Sequence, residues 1–311
     1  MDCLNPLPIE TVRARVDRLR ARREQASSIL RCCTLCPHNC RANRVDGQLG
    51  RCRTGAQAIV SSAGPHFGEE PPLVIGGGSG TIFFANCNLA CIFCQNYDIS
   101  HEGLGRPVTA EQLGEAMLWL QEYGCANVNF VTPTHVVPQI MEALLIAYQS
   151  GLRLPTVYNC GGYEVIETLQ LMDGIIDIYM PDAKYSDPIA AHELSGTPLP
   201  EDGADYVAAN RAALKEMHRQ VGDLKTNDHG LAVRGLLVRH LVLPEGLAGS
   251  EELARFLADE ISRDTYVNVM DQYRPCHEAR RCGAVSRRIT QQEYKSALAA
   301  FRAAGITRFA D

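Results

Sequence analysis

Cys87, Cys91 and Cys94 share one loop, Asn86-Cys87-Asn88-Leu89-Ala90-Cys91-Ile92-Phe93-Cys94-Gln95-Asn96, in the spacing C-x3-C-x2-C. Three thiolates on so short a segment can ligate three corners of a cubic [4Fe–4S] cluster. Ordinary clusters of this kind take four cysteines. The next one, Cys125, lies thirty-one residues beyond Cys94 and across a helical pattern, so one iron is left open for a ligand from outside the protein. The main alternative is structural zinc, which wants four closed ligands, typically as paired C-x2-C elements. This loop offers three with no partner pair. Buried free cysteines packed as small hydrophobes are the plainest reading.

A second group, Cys33, Cys36, Cys40 and Cys52, follows C-x2-C-x3-C-x11-C around Pro37-His38-Asn39, Gly47 and Gly50. Four thiolates suit an auxiliary [4Fe–4S] cluster or a tetrahedral zinc, and spacing does not separate the two. A purely structural knot is the third reading. Cys32 is a neighbour able to replace Cys33. With these assigned, Cys3, Cys32, Cys125, Cys160, Cys276 and Cys282 have no role. Cys276-His277 and Cys282 hint at a third metal site. Arg274, Arg280 and Arg281 around them equally suit an acidic group or partner, and the metal reading is not favoured. His66 and Glu69-Glu70, in PHFGEEPPL, either face the site of chemistry or are solvated.

The elements that must position these loops follow from periodicity. Apolar runs fall at 81–85, 127–131, 155–158, 175–180, 236–243 and 265–270, and helical patterns at 110–123, 137–149, 164–172, 204–221, 251–262 and 290–304. Such alternation predicts an α/β fold with a parallel sheet and helices outside it. Parallel α/β sheets carry their chemistry at the carboxyl ends of the strands, and the Cys87 loop directly follows the first run. Residues 1–31 read as an N-terminal amphipathic helix, with Val12, Val16 and Leu19 on one stripe and a solvated arginine-rich face. Residues 32–80 read as a cysteine-rich appendage outside the main sheet, and 81–311 as the main domain.

Composition narrows the function class. The chain of 311 residues has 46% apolar and 21% charged residues, the profile of a globular protein with a sizeable core. Its 13 cysteines are far fewer than the roughly 8–10% of a disulfide scaffold. No signal peptide pattern is present, and no apolar run approaches the roughly 18 residues of a membrane span. A reduced, cytoplasmic setting follows, where clustered cysteines more often bind metal or react than pair. With 30 basic and 36 acidic residues, net −6, nothing supports nucleic acid as a main partner.

The C-x3-C-x-aromatic-C pattern, with Phe93 as the aromatic, resembles the radical S-adenosylmethionine (SAM) superfamily. GTIFFANCNLACIFCQN (80–96) is similar to the branch related to pyruvate formate-lyase-activating enzymes. So are VTPTHVVPQI (131–140), VYNCGGYE (157–164), DIYMPDAKY (177–185), GLLVRHLVLP (235–244) and TYVNVMDQY (265–273). The resemblance spans nearly all of the chain from about Cys33. It implies a partial (β/α)6 TIM-like barrel with one [4Fe–4S] cluster on Cys87, Cys91 and Cys94, and SAM on the open iron. It implies an oxidoreductase that cleaves SAM reductively to a 5′-deoxyadenosyl radical for hydrogen abstraction. The implied partners are an electron donor such as flavodoxin or ferredoxin and, for this branch, a glycyl radical enzyme; a small-molecule substrate is the other reading.

Residue by residue, Phe93 would lie against the adenine and Asn159 near the ribose. Many relatives place Gly-Gly-Glu after the second strand, where this chain has Thr132-Pro133-Thr134-His135, leaving Thr132 and Thr134 to offer oxygens to the SAM amino group. Gly161-Gly162-Tyr163-Glu164 after the third strand either approaches the ligand or is a plain turn. Asp182-Ala183-Lys184 resembles the Asp-x-Lys element of activating enzymes, with Lys184 facing the SAM carboxylate. Arg239 and His240 interrupt an apolar run, and one of them points to the barrel mouth because Arg is rarely buried unpaired. Asn268, Asp271 and Gln272 are candidate substrate contacts. Outside this family, a non-catalytic iron–sulfur electron carrier and a zinc-based binding module are the alternatives.

Overall fold

The structure is a computed structural model and describes residues 6–310, so Cys3 lies outside the described residues. Ten strands form one sheet: β1 (Ala58–His66), β2 (Ser79–Phe84), β3 (Arg106–Val108), β4 (Val128–Val131), β5 (Thr156–Cys160), β6 (Ile178–Pro181), β7 (Lys225–Thr226), β8 (Ala232–Leu241), β9 (Tyr266–Met270) and β10 (Arg308–Phe309). Their order is β10-β9-β8-β6-β5-β4-β2-β1-β3, with β7 beside β8. Every pair from β2 to β10 along that path is parallel, while β1, β3 and β7 pair antiparallel. The helices are α1 (Ile9–Ser28), α2 (Tyr97–Ser100), α3 (Ala110–Tyr123), α4 (Val137–Gln149), α5 (Ile166–Leu171), α6 (Pro188–Ser195), α7 (Tyr206–Val221), α8 (Ser250–Phe256) and α9 (Gln291–Ala303). None of them is long and apolar enough to cross a membrane.

The six apolar runs become β2, β4, β5, β6, β8 and β9. Their period-two alternation sends Ile82, Phe84, Val128, Phe130, Tyr158, Tyr179, Leu236 and Val238 to the helical layer. Val157, Ile178, Met180 and Leu237 face the other way, where they pack with Leu73 from the loop after β1. Phe130 is fully buried, so truncation to alanine costs about 3–5 kcal/mol. α3 starts on a capping box, Thr109 with Gln112, and ends on left-handed Gly124, which fixes where β4 begins.

Two expectations are corrected. Not all of residues 32–80 stand outside the sheet: β1 pairs with β2 and carries β3 on its other edge, while residues 32–57, with the four cysteines, contribute no strand. The signal was weak: Ser61-Ser62-Ala63-Gly64-Pro65 lacks the β-branched run that marks a strand. Nor is the arginine face of α1 simply solvated. Arg15 is 2% exposed and forms a two-pronged ion pair with Asp177, its Nη1 also donating to the Tyr148 hydroxyl at 2.8 Å. α1 thereby clamps the amino ends of β5 and β6 while it packs along α4.

The loop from Phe67 to Gly78 ties the sheet's two halves together. Glu70 Oε1 accepts from Asn268 of β9 at 3.0 Å, and Glu69 lies 4.0 Å from Arg239 of β8.

Candidate active site

The carboxyl end of β2 turns sharply at Asn86, whose φ is 69°, a left-handed value that asparagine tolerates better than most residues. Its amide Nδ2 donates to Thr54 Oγ1 at 3.1 Å. The cysteine loop is then pinned to the end of α6: Ala90 N donates to Ser195 O and Ile92 N to Leu194 O, both at 2.9 Å. Polar groups reach the thiols. Leu89 N donates to Cys87 Sγ at 3.3 Å, and Ser100 Oγ to Cys94 Sγ at 3.1 Å. Cys91 Sγ lies 3.0 Å from Ser195 Oγ, which is 2.7 Å from the Tyr185 hydroxyl. Burial pushes the Cys87 and Cys91 thiols up, and the neighbouring thiols push Cys87 further, while Lys184 pulls Cys91 back. Thiols so buried become thiolates when a metal or cluster supplies compensating positive charge.

All three cysteines line one cavity of about 250 Å³, together with Phe93, Thr132, Asn159, Asp182, Lys184 and Arg239. Each of the cofactor-binding residues expected from sequence therefore meets the cysteine loop in a single space. An ion network of partly exposed side chains lines it. Asp182 accepts from Lys184 Nζ at 2.5 Å and from Arg239 Nε at 2.9 Å. Arg239 Nη2 donates to Asn159 Oδ1 at 2.8 Å. Burial works against ionisation of Asp182, but Arg239 and Lys184 outweigh it and hold its carboxyl below the usual range. Burial likewise disfavours the Lys184 ammonium, and Asp182 with the Cys91 thiol reverses that, leaving its pKa raised.

The loop after β4 divides its two threonines. Thr132 lines the cavity with a φ of 60°, strained for a β-branched side chain, and its N–H donates to Asn159 O at 2.8 Å. Thr134 turns away and is fully buried, its hydroxyl donating to Glu164 at 2.6 Å. The Tyr158 hydroxyl donates to the other Glu164 oxygen at 3.0 Å. Burial pushes the Glu164 carboxyl up to about 7, against the pull of those two hydrogen bonds. In the sequence Glu164 shows only as part of a glycine turn; its buried partners Thr134 and Tyr158 come from the loop after β4 and from β5 and carry no local signal.

Gly161 and Gly162 are both closely packed. Gly161 lines the cavity, where a Cβ would stand 2.8 Å from Leu89. Gly162 has a φ of +74°, and a Cβ there would meet the Asp182 carbonyl oxygen at 2.0 Å. Arg239 is the member of its pair that faces the site. His240 is buried on the other side, 2.7 Å from the Ala183 carbonyl and 2.8 Å from Ser250 Oγ. Gln272 lines the cavity, its carbonyl accepting from Gln95 at 3.4 Å. Asp271 is exposed and outside the cavity lining, and Asn268 binds Glu70 instead. Phe93 packs edge-on against Tyr273, ring centres 5.8 Å apart.

The second cysteine group docks on the first. His38 Nε2 lies 2.8 Å from the Asn88 carbonyl, inside the Cys87–Cys91 stretch. Arg44, 1% exposed, donates to the His135 carbonyl at 2.8 Å. Burial pushes Cys33 and Cys36 up, and nearby thiols add to it: Cys52 and Cys33 on Cys36, Cys40 on Cys33. Cys33, Cys36 and Cys52 are buried, Cys32 and Cys40 exposed. His277 stacks on Tyr97, and Cys282 is exposed. Among the described residues no three His, Cys, Asp or Glu side chains are close enough to share one metal ion.

Residues 81–219 match the family model described as the radical SAM superfamily. An uncharacterized protein of Methanocaldococcus jannaschii is 30% identical over 285 residues, covering 88% of this chain and 75% of its own length. The crystal structure of a radical SAM methyltransferase from Sphaerobacter thermophilus aligns with a TM-score of 0.45 and 17% identity. That alignment covers 74% of this chain and 66% of the other, just under two thirds of it.

Proposed function

Since the chain belongs to the radical SAM superfamily, we propose that it is an enzyme that cleaves SAM reductively beside the Cys87 loop. One observation carries this reading: the three-cysteine loop and the Asn159–Arg239–Asp182–Lys184 network line the same buried cavity. The residues present fit the implied group. Three thiols leave one iron of a cubic cluster open, and each thiolate takes a separate iron, so no single-ion convergence is required. When bound, the reduced cluster supplies the electron that breaks the sulfonium S–C5′ bond of SAM.

The chain's own residues bind and orient. Cys87, Cys91 and Cys94 hold the cluster. Lys184 and Arg239 present cations to the SAM carboxylate, while Asp182 keeps both charged and in place. Asn159 orients the ribose, Thr132 offers its oxygens to the amino group, and Phe93 bounds the adenine. Leu89 and Phe93, both buried, exclude water from the reacting end. We assign Cys33, Cys36, Cys40 and Cys52 to an auxiliary [4Fe–4S] cluster in preference to zinc, since the chain is matured with one cluster already. The parallel strands β2, β4, β5, β6, β8 and β9, bridged by Glu70–Asn268, support a partial (β/α)6 barrel. A flavodoxin- or ferredoxin-like donor in the cytoplasm would supply the electron.

The activating-enzyme branch, with a glycyl radical enzyme as partner, rests on the sequence strings alone. A small-molecule substrate is the second reading. Electron paramagnetic resonance of the reduced, reconstituted protein tests the SAM site. SAM should shift the cluster signal in wild type and tenfold less effectively at equal concentration in Lys184→Met. An unchanged signal in wild type carrying four irons at the Cys87 site would refute the binding role.

A further inference from the structure

Behind Arg239, on the inner face of the sheet, lies a second polar group that the cofactor site does not use. Glu69 and Glu70 enter it from the loop after β1. Asn129 enters from β4, on the face it shares with Val157, which packs inside the sheet, and with Val131, which lines the cavity. Asn268 closes it from β9. Glu70 is 5% exposed and Asn129 is completely buried; the Asn129 amide donates to the Glu69 carboxylate, yet Glu70 Oε2 and Asn129 Oδ1 have no hydrogen-bond partner.

Carboxylates crowd this end of the site: Asp182, Glu69 and Glu70 face Lys184 and Arg239, and burial pushes the Glu69 carboxyl up against the pull of Arg239. Arg239 is already committed to Asp182, Asn159 and Glu69. His66 approaches Glu69 at 3.6 Å from the solvent side and packs edge-on against Phe83, which lines the cavity. A buried carboxylate oxygen without a partner is costly. A ligand that donates hydrogen bonds and carries a positive charge would satisfy Glu70 Oε2 and Asn129 Oδ1 beside these carboxylates.

We infer that Glu69, Glu70, Asn129 and Asn268 form the recognition end of the substrate site, and that the substrate presents a cationic nitrogen, an amine or a guanidine. The inference rests on the radical SAM reading of the adjoining cavity. Two sources share this chemistry, a free amine and a lysine or arginine side chain of a polypeptide.

Isothermal titration of the anaerobically reconstituted protein with SAM present tests it, using n-butylguanidinium, n-butylammonium, n-pentanol and butyrate as probes. Both cations should bind at least tenfold tighter than pentanol or butyrate, and Glu70→Gln should abolish that preference. A blocked Gly-Gly-Lys-Gly-Gly peptide run alongside assigns the source: tighter binding than n-butylammonium marks a polypeptide, weaker binding a free amine. Equal affinity for charged and neutral probes, or a preference that survives Glu70→Gln, overturns the inference and leaves the unpaired atoms to ordered water. The probe series on wild-type protein requires no variant and stands even if Glu70→Gln does not fold. Absence of SAM cleavage by wild type would instead overturn the underlying reading, and it is measured separately.

Discussion

Replacing Asp182 with asparagine removes the one anion that Lys184 and Arg239 share while keeping the side chain's shape. The ion pairs measure 2.5 and 2.9 Å, and the three side chains are 14–20% exposed, so solvent screening is modest. At an effective dielectric of about 20 each pair attracts by roughly 6 kcal/mol before desolvation, which offsets most of it. Breaking such a pair by removing one partner costs about 3–5 kcal/mol. The asparagine oxygen retains a hydrogen bond from Arg239, which recovers about 1 kcal/mol. The expected loss is therefore about 3 kcal/mol, read as a lower urea midpoint at unchanged slope in the metal-free, thiol-reduced chain. A cycle with Lys184→Met should show a coupling of at least about 1 kcal/mol between the two sites. A loss below about 0.5 kcal/mol with no coupling would mean that the network is a screened surface cluster, and the reasoning about SAM orientation would fall with it.

Other expectations follow from the same geometry. Gly162→Ala puts a methyl group 2.0 Å from a carbonyl oxygen at a φ of +74°, so it should destabilise the chain by more than about 2 kcal/mol and lower SAM affinity in a binding titration. Arg15→Met leaves Asp177 buried and unpaired and should cost about 3–5 kcal/mol in urea unfolding, with cluster content per folded chain unchanged. Burial lowers His135 and His240 from 6.5 to about 4. The folded state then binds fewer protons than the unfolded one, so stability is full above about 6.5 and falls as pH drops toward 4. The loss is roughly 2 kcal/mol per histidine by pH 5, visible as a lower urea midpoint at pH 5 than at pH 7. Cys36→Ala should lower the iron count by four while the Cys87 site keeps its cluster; a zinc atom lost instead would reassign the auxiliary site.

What could be read from sequence was whatever is local. The Cys87 loop and Asp182-Ala183-Lys184 each sit at or next to the end of an apolar run, so strand periodicity alone delivers them to one edge, and Arg239 shows itself as a charge that interrupts such a run. The short helix α6 had a signal as well, Asp187-Pro188 at its start and Gly196 at its end, but eight residues offer too few turns for a periodic stripe. Other features depend on contacts far apart in sequence and leave no spacing to read. Ser195 and Tyr185 reach Cys91 from α6 and the loop before it. Glu69 and Glu70 meet β4, β8 and β9 only once the sheet curls around their loop. Arg15 looked like one more solvated charge because its partner, Asp177, lies 162 residues away.

The central claim is tested most directly by 5′-deoxyadenosine itself. The protein is reconstituted anaerobically with iron and sulfide, reduced with dithionite and given SAM, and the products are separated by chromatography. Wild type should release 5′-deoxyadenosine and methionine, while Cys91→Ala should release none and retain the metal at Cys33, Cys36, Cys40 and Cys52. No product from wild type with the Cys87 cluster fully assembled, or equal product from Cys91→Ala, would contradict the account.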